Sequence, residues 1–482
     1  MPVPRHVFWL LTACLIPSGW SADSPVPAKP NILFIAVDDL NHWVGHLGRN
    51  PQAKTPHLDR LASFGVTFTH AYCAAPACNP SRAALLSGKR PGSTGVYDNR
   101  NPYHPAIRPE ESLFSHFNQA GYKTIGAGKL WHGGPGWPEQ WTLTHARKPI
   151  PNAEVDDRSI AGIKFGVLRG GDENLADTHI ASFGVEQLSQ KHEQPFFLAL
   201  GFHKPHMPWT VPQKYYDLHP LDAIELPPGR PGDLDDVPPE GLRMANPGGD
   251  HRAILESGRW EEAVQAYLAA ISYVDFQIGR VLDALHRSPH ADNTVICLWG
   301  DHGWHLGEKE HWRKFALWEE ATRAPLIWVA PGVASPGGVC SRTVDFMSIY
   351  PTLCDIAGLP VPEHAEGESV RRLLEDPEAA WDIPAVTTFR RNNHAIRTER
   401  WRFIRYAGGG EELYDHTNDP YEWTNLAARD EFADIKADLI RHLPRVNGPE
   451  TQRENARLNE SGRGEASGPE GSDRCNSSRG FD

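Results

Sequence analysis

Four uninterrupted apolar runs constrain this chain more than any other feature: residues 31–37 (NILFIAV), 195–201 (PFFLALG), 294–299 (TVICLW) and 325–330 (PLIWVA). A strand with one wet face alternates apolar and polar residues, whereas a strand covered on both faces has no need to. These runs therefore predict a central, largely parallel sheet with helices on both sides, the layout of an α/β domain. Ligand groups in such sheets stand just beyond the carboxyl ends of the strands. The first run ends in Asp38-Asp39, the second in His203-Lys204 and the third in Asp301-His302. A further strand over 122–127 delivers Lys129 and His132. Two adjacent carboxylates repel each other and call for a cation.

Between the strands, helices are expected over 55–65, 112–120 and 176–190, the first two closed by glycine. A long one is expected over 260–286, where Val264, Tyr267, Leu268, Ile271, Val274 and Ile278 repeat at the helical period. A strand beginning at Val66 leads into Cys78-Asn79-Pro80-Ser81-Arg82. Pro80 suits the first turn of a helix, and Gly88 suits its end. Cys78 then sits at the positive end of a helix dipole, with Arg82 one turn on. It reads either as a small buried core residue or as a nucleophile or its precursor in a setting that favours an anion.

With 482 residues the chain is long enough for a large domain and a smaller one. Its formal charge of −13 argues against a nucleic-acid partner, so positive contacts to an anionic ligand must be local. Residues 1–22 read as a basic start, a short apolar run and small residues, an export signal that is too short for a membrane span. This predicts an exported protein, in a periplasmic, secreted or lysosome-like compartment, with no span in the mature chain. The main domain is expected over 23–380, with rim loops at 133–171 and 205–250. Short alternating runs within 381–446 suggest a small antiparallel sheet and a helix from about 430 to 443. Residues 447–482 lack apolar content and read as a disordered tail. Cys297 reads as core, and Cys340 with Cys354 is a candidate pair.

Charged strand exits on four strands, joined by the Cys78 helix, point to one convergent site. Asp38, Asp39 and Asp301 suit a hard divalent cation, Ca²⁺ or Mg²⁺, for which His302 is an unusual ligand. Arg82, Lys129 and Lys314 can hold the oxygens of a tetrahedral anion. His132 and His203 are acid–base candidates by position alone, in a chain with 24 histidines.

The stretch Cys78-Asn79-Pro80-Ser81-Arg82-Ala83-Ala84-Leu85-Leu86-Ser87-Gly88 resembles the Cys-x-Pro-Ser-Arg signature of type I sulfatases, in the alkaline phosphatase superfamily, with Ser87 in place of the usual Thr. The resemblance runs from Asn31 to about residue 445. Gly128-Lys129-Leu130-Trp131-His132, Phe202-His203-Lys204-Pro205-His206-Met207-Pro208, Ser272-Tyr273-Val274-Asp275 and Asp301–Glu308 are similar to the iduronate 2-sulfatase branch. The resemblance implies a large mixed sheet sandwiched by helices, with a smaller C-terminal α+β domain carrying an antiparallel sheet. It implies Cα-formylglycine at Cys78, installed by a formylglycine-generating enzyme, whose hydrate attacks a sulfated carbohydrate. The implied metal is Ca²⁺ rather than Mg²⁺, held by Asp38, Asp39, Asp301 and His302 with the modified Cys78. Lys129 and Lys314 then bind sulfate, Arg82 orients the nucleophile, His203 protonates the leaving oxygen and His132 takes a proton as sulfate departs. Alternatives on the same residues are phosphodiester or phosphonate monoester hydrolysis, or a catalytically silent glycan-binding protein.

Overall fold

In the computed structural model, which describes residues 29–146 and 149–452, every residue of the strand Asn31–Val37 is buried. It pairs in parallel with Thr294–Gly300 on one side and Phe196–Phe202 on the other. Successive side chains point to opposite faces, and here each face meets its own core. Leu33, Ile35 and Val37 pack under the long helix Trp260–His286. Ile32, Phe34 and Ala36 pack towards Leu85, Leu113 and Ile349 on the other side. Both faces being covered accounts for the unbroken apolar run.

The full sheet has eight strands in the order Gly338–Asp345, Val66–Tyr72, Leu326–Val329, Thr294–Gly300, Asn31–Val37, Phe196–Phe202, Lys123–Gly128 and Leu143–Thr144. Leu326–Val329 runs antiparallel to both neighbours, while the other pairings are parallel. A parallel return would need a long crossover. The chain instead turns back at the site edge after Gly300, through the small hairpin of His305–Leu306 and Trp312–Arg313 and the short helix Glu319–Thr322. The 325–330 run thus ends at the edge remote from Asp38.

The C-terminal strands Ala385–Thr388, His394–Arg397, Trp401–Arg405 and Glu411–Asp415 form an antiparallel meander, followed by the helix Ala433–Ile440. This sheet braces the site from outside. Thr387 Oγ1 donates to Cys73 O (2.7 Å), Thr388 N to Ala74 O (2.9 Å) and Arg402 Nη1 to Leu317 O (2.9 Å).

Three expectations are corrected. The 133–171 segment is not a plain loop, because Glu154–Asp157 and Phe165–Arg169 join Trp209–Pro212 in a three-stranded sheet, and 205–250 likewise contains the helix Pro239–Ala245. Strand pairing supplied by distant chain, which local periodicity does not reveal, orders the first segment. Residues 447–451 are not a loose tail: Gly448 N bonds Gly92 O (2.8 Å) and Thr451 N bonds Gly95 O (2.9 Å), so backbone pairing replaces the missing apolar content. Cys340 and Cys354 are buried free thiols rather than a disulfide. The expected export signal and the tail beyond residue 452 lie outside the described residues.

The Ser272-Tyr273-Val274-Asp275 motif is a structural joint. Asp275, nearly fully buried, accepts from His57 N (3.2 Å) and Leu58 N (2.8 Å) at the start of the helix Pro56–Phe64. Ser272 Oγ donates to Lys54 O (3.0 Å) and Tyr273 OH meets Thr178 Oγ1 (3.0 Å). Replacing Asp275 with Ala strands two buried N–H groups, so Asp275→Ala is expected to lower unfolding free energy by about 2–3 kcal/mol in urea titrations.

Candidate active site

The helix Cys78–Ser87 begins at Cys78 and ends at Gly88, whose φ of +72° closes it in the left-handed conformation. All its residues are buried, so a Cys, an Asn, two Ser and an Arg occupy interior positions that need partners. Asn79 Nδ2 donates to Asp98 O (2.9 Å) and Asn101 O (2.6 Å). Ser81 Oγ donates to Asp301 O. The Arg82 guanidinium spans two carboxylates, donating from Nε to Asp301 Oδ2 (2.8 Å) and from Nη2 to Asp38 Oδ1 (3.3 Å), and it also donates to the carbonyls of Lys129 and Leu130.

Asp38 and Asp39 follow the central strand, with Asp39 at φ +59°, a strained region for a residue with a side chain. Asp39 N donates to Asp301 Oδ1 (2.9 Å), locking together the exits of the Asn31 and Thr294 strands. Lys129 Nζ pairs with Asp38 Oδ2. Lys314 Nζ lies 2.7 Å from Asp39 Oδ1 and 2.9 Å from Cys78 Sγ. Arg313 (φ +83°) and Phe315 (φ +74°), on either side of Lys314, both have left-handed backbones, so its placement is built at the cost of strain. His302 Nε2 lies 3.4 Å from Cys78 Sγ and 3.4 Å from Asp39 Oδ1.

This electrostatic setting favours an anion at Cys78. Burial opposes a charged thiol, but Lys129, Lys314 and His302 outweigh it and hold the group well below its ordinary value. Burial and Cys78 likewise push Asp38 up, while Lys129, His206 and Arg82 hold it well below the usual carboxylate range. Against burial, Asp301 and Cys78 raise His302 to about 9.

The residues fit a hard divalent cation. Ligand atoms of Asp38, Cys78, Asp301 and His302 lie within 4.8 Å of one another, and those of Asp38, Asp39, Cys78 and His206 do so too. Asp39 Oδ2 is buried without a hydrogen-bond partner, an expense that a cation removes. Three carboxylates make the donor set hard. The sulfur of Cys78 is the soft exception, and an oxygen at that position would complete the set.

Of the residues singled out by sequence, Cys78, Arg82, Lys129, Lys314, Asp38, Asp39, Asp301 and His302 converge, and His132 lies within hydrogen-bonding reach of Cys78. The loop after Phe202 departs from expectation. His203 is turned onto Asp177, with Nδ1 3.1 Å from Oδ1, and its side chain is 47% exposed. His206 enters the site instead, with Nε2 3.9 Å from Asp39 Oδ2 and the Cys78 thiol within reach. Asp39 and Asp38 raise its pKa against burial. A turn in which His206 N donates to His203 O (2.8 Å) swings the second histidine inward. Both histidines belong to one motif, and sequence spacing held no signal to choose between them.

Residues 30–359 match the family model described as Sulfatase, and residues 307–448 match N-sulphoglucosamine sulphohydrolase, C-terminal. A protein of Formosa agariphila named Sulfatase is 38% identical over 468 residues, covering 91% of this chain and 92% of its own length. Iduronate 2-sulfatase of Mus musculus is 30% identical over 387 residues, covering 69% of each chain. The solved structure of phosphonate monoester hydrolase of Agrobacterium radiobacter shares the fold, with a TM-score of 0.72 at 23% identity over 86% of this chain and 95% of that one.

Because Arg82 spans Asp38 and Asp301 with a planar fork, a lysine cannot reproduce it. Arg82→Lys is expected to weaken Ca²⁺ or Mg²⁺ binding at least about tenfold in calorimetric titration, as loss of a group orienting ligands does.

Proposed function

Because the chain belongs to the sulfatase family, whose members are sulfuric ester hydrolases, we propose that it removes sulfate from a sulfated carbohydrate of the kind an iduronate 2-sulfatase accepts. The observation that carries this reading is the Cys78 position itself. It is a fully buried helix start faced by Lys314, His302 and Asp39, shaped for an oxygen nucleophile and an anionic substrate together. Cys78 is read as the precursor of Cα-formylglycine, made by a formylglycine-generating enzyme, and the hydrated aldehyde supplies the attacking hydroxyl. Asp38, Asp39, Asp301 and His302, with the oxygen of the modified residue, would hold a divalent cation, Ca²⁺ before Mg²⁺, which when bound lowers the pKa of that hydroxyl and polarises the sulfate.

Lys129 and Lys314 bind sulfate oxygens through their ammonium groups, where negative charge builds up during transfer. Arg82 keeps Asp38 and Asp301 in register and orients the nucleophile. The role of acid to the leaving sugar oxygen passes from His203 to His206, whose ring reaches Asp39 and whose proton Asp39 and Asp38 favour against burial. His132, whose Nδ1 is buried without a partner, takes up the proton whose loss releases sulfate. Among the described residues no helix is long and apolar enough to cross a membrane, and the leader read at 1–22 supports export.

A panel of 4-nitrophenyl sulfate, bis-4-nitrophenyl phosphate and defined sulfated disaccharides tests the reading. The expected order places a sulfated uronate-containing disaccharide first in kcat/KM. Preference for the phosphodiester by tenfold or more, about 1.4 kcal/mol in transition-state binding, would move the chain to the phosphodiesterase and phosphonate hydrolase reading. Binding of the disaccharides with no turnover of any substrate would mark a silent glycan-binding protein.

A further inference from the structure

Asp177 belongs to none of the strand exits, yet it holds the loop that carries His206. It lies in the first turn of the helix Ala176–Leu188 and is only 2% exposed. Its Oδ1 accepts from His203 N (2.8 Å) and its Oδ2 from Lys204 N (2.8 Å). The His203 ring adds a further contact, Nδ1 to Oδ1 at 3.1 Å. His203 and Lys204 are the residues immediately after the strand Phe196–Phe202, where the sheet ladder stops supplying partners for backbone N–H groups. Asp177 takes the ladder's place there.

The hydrogen bonds then run onward to the reacting centre. His203 O accepts from His206 N (2.8 Å), closing the turn. His206 Nδ1 meets Met207 O at 2.6 Å, which makes Nδ1 the N–H donor and leaves Nε2 facing Asp39. The Asp177 helix itself is anchored beside the catalytic sheet: Ile180, Ala181 and Leu188 pack into the core with the Trp260 helix, and Thr178 bonds Tyr273 (3.0 Å). Asp177 thus links a rigid helix to a loop with two prolines and little regular structure.

We propose that Asp177 is a positioning residue for the reaction: its carboxylate fixes the His203–Lys204 backbone and thereby aims His206 Nε2 at the leaving oxygen. This rests on the reading of His206 as the leaving-group acid. A group acting only through proton delivery matters in proportion to how much the leaving group needs the proton. A sugar alkoxide needs it, whereas 4-nitrophenolate leaves readily without it. Loss of Asp177 should therefore be selective for the poor leaving group, a pattern that general loosening of the fold does not produce.

The test compares Asp177→Asn, His206→Ala and the double variant on a sulfated disaccharide and on 4-nitrophenyl sulfate. The parent is measured on both first, so that absence of sulfatase activity is recognised separately. Asp177→Asn should lower kcat on the disaccharide about 30- to 100-fold, with KM and the 4-nitrophenyl sulfate rate within about threefold of parent. His206→Ala should show the same selectivity, and the double variant should be no slower than His206→Ala alone, as for two residues acting as one unit. Equal loss on both substrates, no loss on either, or additive losses would each overturn the proposal. Should Asp177→Asn not fold, Asp177→Glu, which moves the carboxylate by one methylene, is read by the same criteria.

Discussion

Three buried carboxylates, Asp38, Asp39 and Asp301, sit on adjacent strand exits without access to water, and the structure around them is organised to offset their charge. Isolated ionised groups in such a place cost far more than a domain's net stability. Arg82, Lys129 and Lys314 each pair directly with at least one of them. Every one of these cations comes from a different part of the chain, so the charge cluster ties the Cys78 helix, the Lys123 strand and the strained 313–315 turn to the central strand. The same cations that make the site stable enough to fold are the ones that can receive a tetrahedral anion. Fold stability and the capacity to receive an anion draw on one set of contacts.

The parallel sheet makes this convergence possible. Four neighbouring strands, Thr294–Gly300, Asn31–Val37, Phe196–Phe202 and Lys123–Gly128, run the same way, so their exits share one edge about 5 Å apart from strand to strand. Close approach is needed as well. Gly201 lies where a Cβ would come within 2.0 Å of Lys129 O, and Lys129 N bonds Gly201 O (2.8 Å). Only glycine lets the Lys129 exit turn so tightly over its neighbour. The C-terminal sheet then closes the outside, holding Cys73 and Ala74 through Thr387 and Thr388, a few residues before Cys78.

What could be read beforehand follows the range of the physical signal. Burial on both faces leaves its mark within seven residues, so the central strand and its terminal aspartates were legible from sequence. The Cys78 helix was legible too, because Pro80 and Gly88 announce its ends locally. The sheet over 154–169 depends on Trp209–Pro212, and the 448–451 strap depends on Gly92 and Gly95. Neither leaves a periodic trace in its own segment. His203 is held on Asp177, a residue 26 positions away, which no local pattern announces. The antiparallel Leu326–Val329 strand reads like its parallel neighbours because burial, not direction, sets composition.

In the proposed mechanism an oxygen nucleophile, not a thiolate, completes the buried site beside Lys314 and His302. Mass spectrometry of the peptide containing Cys78, taken from active protein co-expressed with a formylglycine-generating enzyme, tests this most directly. The predicted result is an aldehyde in place of the thiol, in a fraction that rises in step with specific activity. A fully active protein whose Cys78 remains an unmodified thiol would contradict it.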